Sequence, residues 1–82
     1  MANLTDRQKA LHAWMLAKGQ RISKCLHETM TEFRLMGTDG YPGNVHQLSL
    51  ERLKEAGWVR CYTESDLGLP LLVYEAVEVA DA

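Results

Sequence analysis

The pattern of apolar and polar residues begins with the period of a helix. Leu11 and Met15 are four residues apart, so their side chains can share one helix face. Thr5 and Gln8 have the spacing of a capping box, in which two side chains bond backbone N–H groups at the start of a helix. The pattern predicts a first helix over residues 6–18, closed by the glycine that follows.

A second amphipathic segment follows after a short link. Leu26, Met30 and Phe33 occupy positions i, i+4 and i+7. This spacing predicts a helix over residues 24–35 with these three side chains in the core. The next segment, GTDGYPGN, contains three glycines and a proline, a density that no helix or central strand tolerates. It is predicted to be a loop.

The third predicted helix is the element around which the rest is arranged. It covers residues 44–56, with Asn44 as N-cap and Gly57, which can adopt the left-handed conformation, as the stop. Projection at about 100° per residue divides the helix into two faces. The face predicted to be buried comprises His46, Ser49, Leu50, Leu53, Ala56 and Gly57. The predicted outer face comprises Asn44, Gln47, Leu48, Glu51 and Lys54, with Glu55 nearby and Val45 and Arg52 at its flanks.

Two β-rich runs complete the pattern. Residues 58–64 alternate in the manner of a half-buried strand, and residues 71–79 form a second run. Between them, Asp66 and Gly68 are residues that favour turns. The two runs are predicted to pair as an antiparallel hairpin.

The order of these elements resembles the winged helix-turn-helix domain of prokaryotic transcription regulators. The likeness is carried by Leu50, Leu53, Gly57, Trp58 and Val59 in the segment LERLKEAGWVR. It implies an α+β fold with three helices and a C-terminal two- or three-stranded antiparallel β-hairpin, the wing. A single winged-helix domain would span residues 1–82, with a core of about 4–79.

The function that this resemblance implies is that of a small DNA-binding transcription regulator, with helix 44–56 in the major groove. Asn44 and Gln47 are expected to read bases, because their amides can pair with an adenine edge. The expected phosphate contacts are Arg52, Lys54, Lys24 and Arg21. Tyr41, in the loop before this helix, would lie against the sugar-phosphate backbone or close over the core edge. A homodimer is expected, because one helix reads only a few base pairs.

Composition narrows the class of protein further. The 82 residues are 46% apolar and 24% charged with a net charge of −2, values typical of a globular protein. No apolar run approaches the roughly 20 residues that a membrane span needs, so we expect no membrane partner and a cytoplasmic location. The charge is uneven, because cations concentrate in residues 7–34 whereas residues 61–82 contain no Lys or Arg.

This asymmetry leaves a second function open. The predicted wing offers no cation between Cys61 and Val79, and its tip is apolar. The alternative to DNA binding is therefore an interaction module that docks on a protein partner through an acidic, leucine-tipped wing. The residues expected at that contact are Leu48, Leu67 and Leu69.

Patterns of catalytic or metal-binding chemistry are not visible. The sequence has no nucleophile motif, phosphate-binding glycine loop or dinucleotide fingerprint. Its three histidines and two cysteines lack the spacing of a metal site. Cys25 and Cys61 are expected to be free thiols. We expect no enzyme activity, no cofactor and no metal ion.

Overall fold

The computed structural model describes residues 3–25 and 35–80, which contain two helices and four strands. In chain order these are α1 (Asp6–Lys18), β1 (Ile22–Cys25), β2 (Leu35–Met36), α2 (Gln47–Glu55), β3 (Val59–Asp66) and β4 (Leu69–Ala76). The strands form one antiparallel sheet in the order β2-β1-β4-β3, and both helices pack on the same face of it.

The first predicted helix is confirmed as α1. Both bonds of its capping box are present, because the Gln8 N–H donates to Thr5 Oγ1 at 3.1 Å and the Thr5 N–H donates to Gln8 Oε1 at 3.0 Å. Leu11 and Met15 are buried, as their spacing predicts. At the other end Gly19 takes the left-handed conformation, with φ of 60°, that ends many helices.

The second predicted helix, 24–35, is wrong where the structure describes it. Lys24 and Cys25 belong to β1, and Leu35 belongs to β2. These positions are fixed by strand pairing, since Lys24 lies opposite Leu35 in the β1–β2 ladder and also pairs with β4. Pairing with distant residues has overridden the local helical pattern. The middle of the predicted helix, residues 26–34, lies outside the described residues.

The prediction of a three-helix winged helix-turn-helix fold is therefore wrong. Among the described residues there are two helices and a four-stranded antiparallel sheet. The last two strands do pair antiparallel, from Val59 opposite Ala76 to Asp66 opposite Leu69. They are half of a larger sheet, in which β4 is central and β3 is an edge strand.

The helix predicted over residues 44–56 is shorter at its start. In the structure α2 begins at Gln47, with His46 as an N-cap that makes no side-chain capping bond, so the assignment of Asn44 as N-cap is wrong. The predicted stop is confirmed. Gly57 has φ of 80°, and the Trp58 N–H donates to the Leu53 carbonyl at 2.9 Å, a bond typical of a Schellman motif.

The core lies between the two helices and the sheet face that they cover. Its most deeply buried apolar side chains are Leu11, Met15, Ile22, Leu50, Leu53, Val59 and Tyr74. The strand register places Ile22, Tyr74 and Cys61 side by side on this covered face. The opposite face, which we call the outer face of the sheet, carries the alternate residues of each strand.

Candidate interaction surfaces

Part of the predicted DNA-reading flank of α2 is turned toward its own sheet. The buried Tyr74 hydroxyl donates to Glu51 Oε1 at 2.6 Å, and Lys54 Nζ lies 3.4 Å from the other oxygen of Glu51. Gln47 also lies beside the Tyr74 hydroxyl. Glu51, expected on the outer face, thus bonds the sheet and forms a polar seam between α2 and β4, whereas Lys54 stays exposed at the edge of this seam.

The seam shifts the ionisation of its members. Burial, together with the hydrogen bond to Glu51, raises the pKa of Tyr74 well above its ordinary range. The same hydrogen bond lowers the pKa of Glu51. Burial raises the pKa of the Cys61 thiol, which keeps it protonated and unreactive at neutral pH. The hydrogen bond between Tyr74 and Glu51 joins α2 to the sheet.

The solvent-facing stripe of α2 is short and carries little net charge. Leu48 is 63% exposed, and Arg52 Nη1 pairs with Glu55 Oε2 at 3.3 Å one turn further along. The predicted phosphate contact Arg52 is thus beside a carboxylate of the same helix. His46, expected on the buried side, is exposed at the start of the helix.

The four cations expected to contact phosphate are not brought together. Lys24 is buried on the covered face of β1, whereas Arg21 lies on the outer face. The sheet separates these two side chains, and Arg52 and Lys54 are each paired with a glutamate of α2. A continuous basic surface is not formed by these residues.

The remaining predicted DNA contacts lie near the start of α2. Tyr41 is half-buried, and its ring meets Trp14 edge-on with 5.2 Å between ring centroids, so it closes over the core edge. Asn44 is exposed and lines a small cavity of about 150 Å³ with Arg7, Tyr41 and His46.

The tip of the β3–β4 hairpin is the most exposed apolar feature among the described residues. Asp66 and Leu69 form the last pair of the ladder, which leaves a two-residue turn of Leu67 and Gly68. Both turn residues have positive φ, 50° for Leu67 and 82° for Gly68, as a type I′ turn requires. Leu67 is 98% exposed and Leu69 is 45% exposed.

A polar network covers the outer face of the sheet. Arg21 Nη1 donates to the Tyr62 hydroxyl and to Glu64 Oε1, both at 3.0 Å. The Tyr62 hydroxyl in turn donates to Glu75 Oε2 at 3.1 Å, and Glu75 also pairs with Arg60. Cations and carboxylates therefore alternate across β1, β4 and β3.

Arg21 also links the start of β1 to β3 across the outer face of the sheet. It precedes β1, and its guanidinium bonds side chains of Tyr62 and Glu64 on β3, so the three side chains together span β4. Val73 lies at this crossing, opposite both Ser23 and Tyr62, and is only 2% exposed although it is on the outer face. Arg21 and Val73 line the same cavity on this face.

Comparison with known proteins provides no relative. No family model matches the sequence, and no curated protein or solved structure is significantly similar to it. The function is therefore argued from the geometry of the chain itself.

Two features are absent from the described residues. No helix in that part of the chain is long and apolar enough to cross a membrane. No group of three or more His, Cys, Asp or Glu side chains there is arranged to hold a metal ion.

Sequence reasoning missed His12, whose ring is buried in α1. His12 Nε2 donates to the Val77 carbonyl at 2.8 Å, and the ring lies 4.8 Å from the ring of Trp58. Its position beside Leu11 on the helix could have placed it near the core. Its partner Val77 is 65 residues away, and no local pattern identifies such a partner.

Proposed function

We propose that this protein is an interaction module that binds another protein through the tip of the β3–β4 hairpin. The observation that carries the proposal is Leu67, a large apolar side chain held almost completely in water on a residue with φ of 50°. No other described residue except glycine has a positive φ.

Leu67 is unfavourable for the hairpin in two ways. A residue with a Cβ atom in the left-handed conformation costs roughly 1–2 kcal/mol, and asparagine tolerates this conformation better than leucine. An exposed leucine at a turn also gains nothing from burial, because it has no packing neighbours to remove it from water. Strain and exposure at one position are typical of a contact residue.

Leu69 extends the apolar surface beyond the turn. It pairs with Asp66, remains 45% exposed, and lies outside the core cluster. Two leucines on a narrow ribbon fit an apolar socket on a partner protein. Because the sequence places the acidic residue Asp66 immediately before the tip, a basic rim would suit that socket.

The same charges disfavour nucleic acid at the tip. Strand β4 contains no Lys or Arg, and the cations nearest the tip on the outer face, Arg21 and Arg60, are engaged by Glu64 and Glu75. Among the described residues, no unpaired cation on the outer face near the tip would compensate for the approach of a phosphate backbone to these carboxylates. A protein partner with the opposite charge fits this surface better.

A second candidate is double-stranded DNA binding, which the start of α2 favours. Its first turn has no side-chain cap, and Arg7 and Asn44 line the adjacent cavity. A helix start without a side-chain cap and a nearby cation suit a phosphate oxygen. We expect an Arg7→Glu variant to lose retention on duplex DNA at low salt if this candidate holds. If wild type and Arg7→Glu are retained equally, or if the wild type is not retained, DNA binding at this site is excluded.

The proposed protein contact can be tested by site-specific photo-crosslinking of the full chain in its native cells. We expect p-benzoylphenylalanine at position 67 to give a discrete adduct that Leu69→Ser abolishes. The same probe at Leu16, an exposed leucine of α1, should not give this adduct. Adducts that form equally at both positions, or that persist in Leu69→Ser, would contradict the proposal.

The affinity of the purified partner then provides the quantitative test. We expect Leu67→Asn to raise the Kd by about tenfold or more, because it removes a central apolar anchor. Asparagine suits the turn, so a weaker contact cannot be attributed to unfolding. Binding by Leu67→Asn with the wild-type Kd would place the contact elsewhere on the molecule.

A further inference from the structure

The free edge of β3 carries a charge pattern that is complementary to itself. In the part of the chain that the structure describes, β3 pairs with β4 alone and is the edge of the sheet. We propose that two copies of this chain associate by antiparallel pairing of their β3 strands, with the twofold axis at Tyr62. This goes beyond the proposed hairpin-tip contact and does not depend on it.

The backbone groups that face the open edge can be identified. The Val77 N–H donates to the Trp58 carbonyl at 2.8 Å, so these opposite residues are a hydrogen-bonded pair. In an antiparallel ladder such pairs alternate with pairs that make no backbone bonds. The N–H and C=O groups of Arg60, Tyr62 and Glu64 therefore point toward β4. Those pointing to the open edge belong to Val59, Cys61, Thr63 and Ser65.

With the twofold axis at Tyr62, the edge-facing N–H and C=O groups of one copy lie opposite those of the other. Cys61 then lies opposite Thr63 of the second copy, and Val59 lies opposite its Ser65. Each of these pairs joins two residues whose polar backbone groups face the new interface. A shift of one residue would place an edge-facing group opposite one that faces β4, and the ladder could not form.

The same register pairs opposite charges. Arg60 of each copy lies opposite Glu64 of the other, in the closely spaced type of pair that makes no backbone bonds. The two Tyr62 rings meet at the axis. Because cross-strand neighbours of opposite sign stabilise an antiparallel pair and like charges destabilise it, the edge selects a second copy of itself.

The ion pairs within each copy can remain intact when the dimer forms, and the new contacts add to them. Within one copy Arg60 pairs with Glu75, and Glu64 Oε1 accepts from Arg21. Arg60 has further guanidinium donors, and Glu64 retains its second oxygen. Across the interface the order would be Glu75, Arg60, Glu64 of the second copy and Arg21 of the second copy. No two adjacent charges in this row are alike.

The geometry of such a dimer leaves the hairpin tips accessible. Two antiparallel β3 strands point in opposite directions, so Leu67 of one copy and Leu67 of the other lie at opposite ends of the joined sheet. The dimer would present two separate tips, and the tip experiments above and the experiment below can succeed or fail independently.

The direct test reverses one charge in each of two variants and then mixes the variants. Sedimentation of the full chain, over a range of concentrations up to millimolar, measures the monomer–dimer equilibrium. Arg60→Glu places Glu opposite Glu64 twice, and Glu64→Arg places Arg opposite Arg60 twice. We expect each change to raise the dimer Kd by about tenfold or more. A mixture of the two variants should form a heterodimer, because both of its cross-strand pairs are again opposite in charge.

Matched variants separate the interface from net charge and from folding. Arg52→Glu and Glu55→Arg make the same charge changes on α2 and should leave the dimer Kd unaltered. Thr63→Pro removes an N–H group that faces the open edge and breaks no hydrogen bond to β4. We therefore expect this variant to be folded by circular dichroism and monomeric by sedimentation.

Three results would overturn the proposal. These are a wild-type chain that stays monomeric throughout the concentration range, single reversals that dimerise like wild type, and a mixture that fails to form the heterodimer.

Discussion

Leucines occupy opposite environments in two regions of this molecule. In α2, Leu50 and Leu53 are 0% exposed and contact α1 and the sheet, whereas at the hairpin tip Leu67 is 98% exposed. The helical leucines lie where the period of the helix places them, and they build the core. The leucine at the tip lies on a strained turn without packing neighbours. The difference separates residues that hold the fold from a residue available for contact.

The largest effect that we expect is a difference in stability between substitutions in α2 and substitutions at the hairpin tip. Leu53→Ala should lower the free energy of unfolding by about 3 kcal/mol, because it removes buried methyl groups and leaves a cavity. Leu69→Ser should change it by less than about 0.5 kcal/mol, as is usual for exposed positions. Denaturant unfolding measures both. Similar losses in the two variants would show that the tip also supports the fold.

The next effect concerns the polar seam beneath α2. Tyr74→Phe should lower the free energy of unfolding by about 1.5 kcal/mol, because it removes a hydrogen bond to the charged carboxylate of Glu51. Tyr62→Phe is the control, since the Tyr62 hydroxyl bonds Arg21 and Glu75 on the outer face, away from α2. If Tyr62→Phe costs as much as Tyr74→Phe, the two faces of the sheet are not as different as we describe.

Alkaline pH should reveal the same seam. Burial and Glu51 raise the pKa of Tyr74 above the value of 10.0 that applies to the unfolded chain. Its contribution to stability is therefore complete below pH 10 and falls as pH rises toward the folded-state pKa. Ionisation of this one group can lower the free energy of unfolding by at most about 1.4 kcal/mol per pH unit. Tyr74→Phe should show a shallower alkaline loss than wild type, and equal slopes would exclude this linkage.

The sequence predicts the elements whose signals are local. The capping box of Thr5 and Gln8, the stop at Gly57 and the strand alternation after Trp58 each depend on neighbouring residues, and each is present in the structure. β1 is different. Lys24 and Cys25 are strand residues because they pair with Leu72 and Leu71 of β4, more than 40 positions away, and no local pattern shows this.

The candidate surfaces were predictable to a similar degree. The apolar tip at Leu67 and Leu69 could be seen in the sequence, because turn residues and leucines occur together there. The strain at Leu67 could not be seen, since it depends on a turn of only two residues. The alternating charges of Arg21, Glu64 and Glu75 also required the strand register, which brings distant residues to one face.

The most direct test of the account is the unfolding free energy of Leu67→Asn, compared with Leu67→Ala. We expect Leu67→Asn to stabilise the isolated chain by about 1 kcal/mol, because asparagine tolerates the left-handed conformation of this turn. Leu67→Ala, which keeps a Cβ atom in the strained position, should leave stability nearly unchanged. A loss of stability in both variants would show that Leu67 serves the fold and would contradict its assignment as a contact residue.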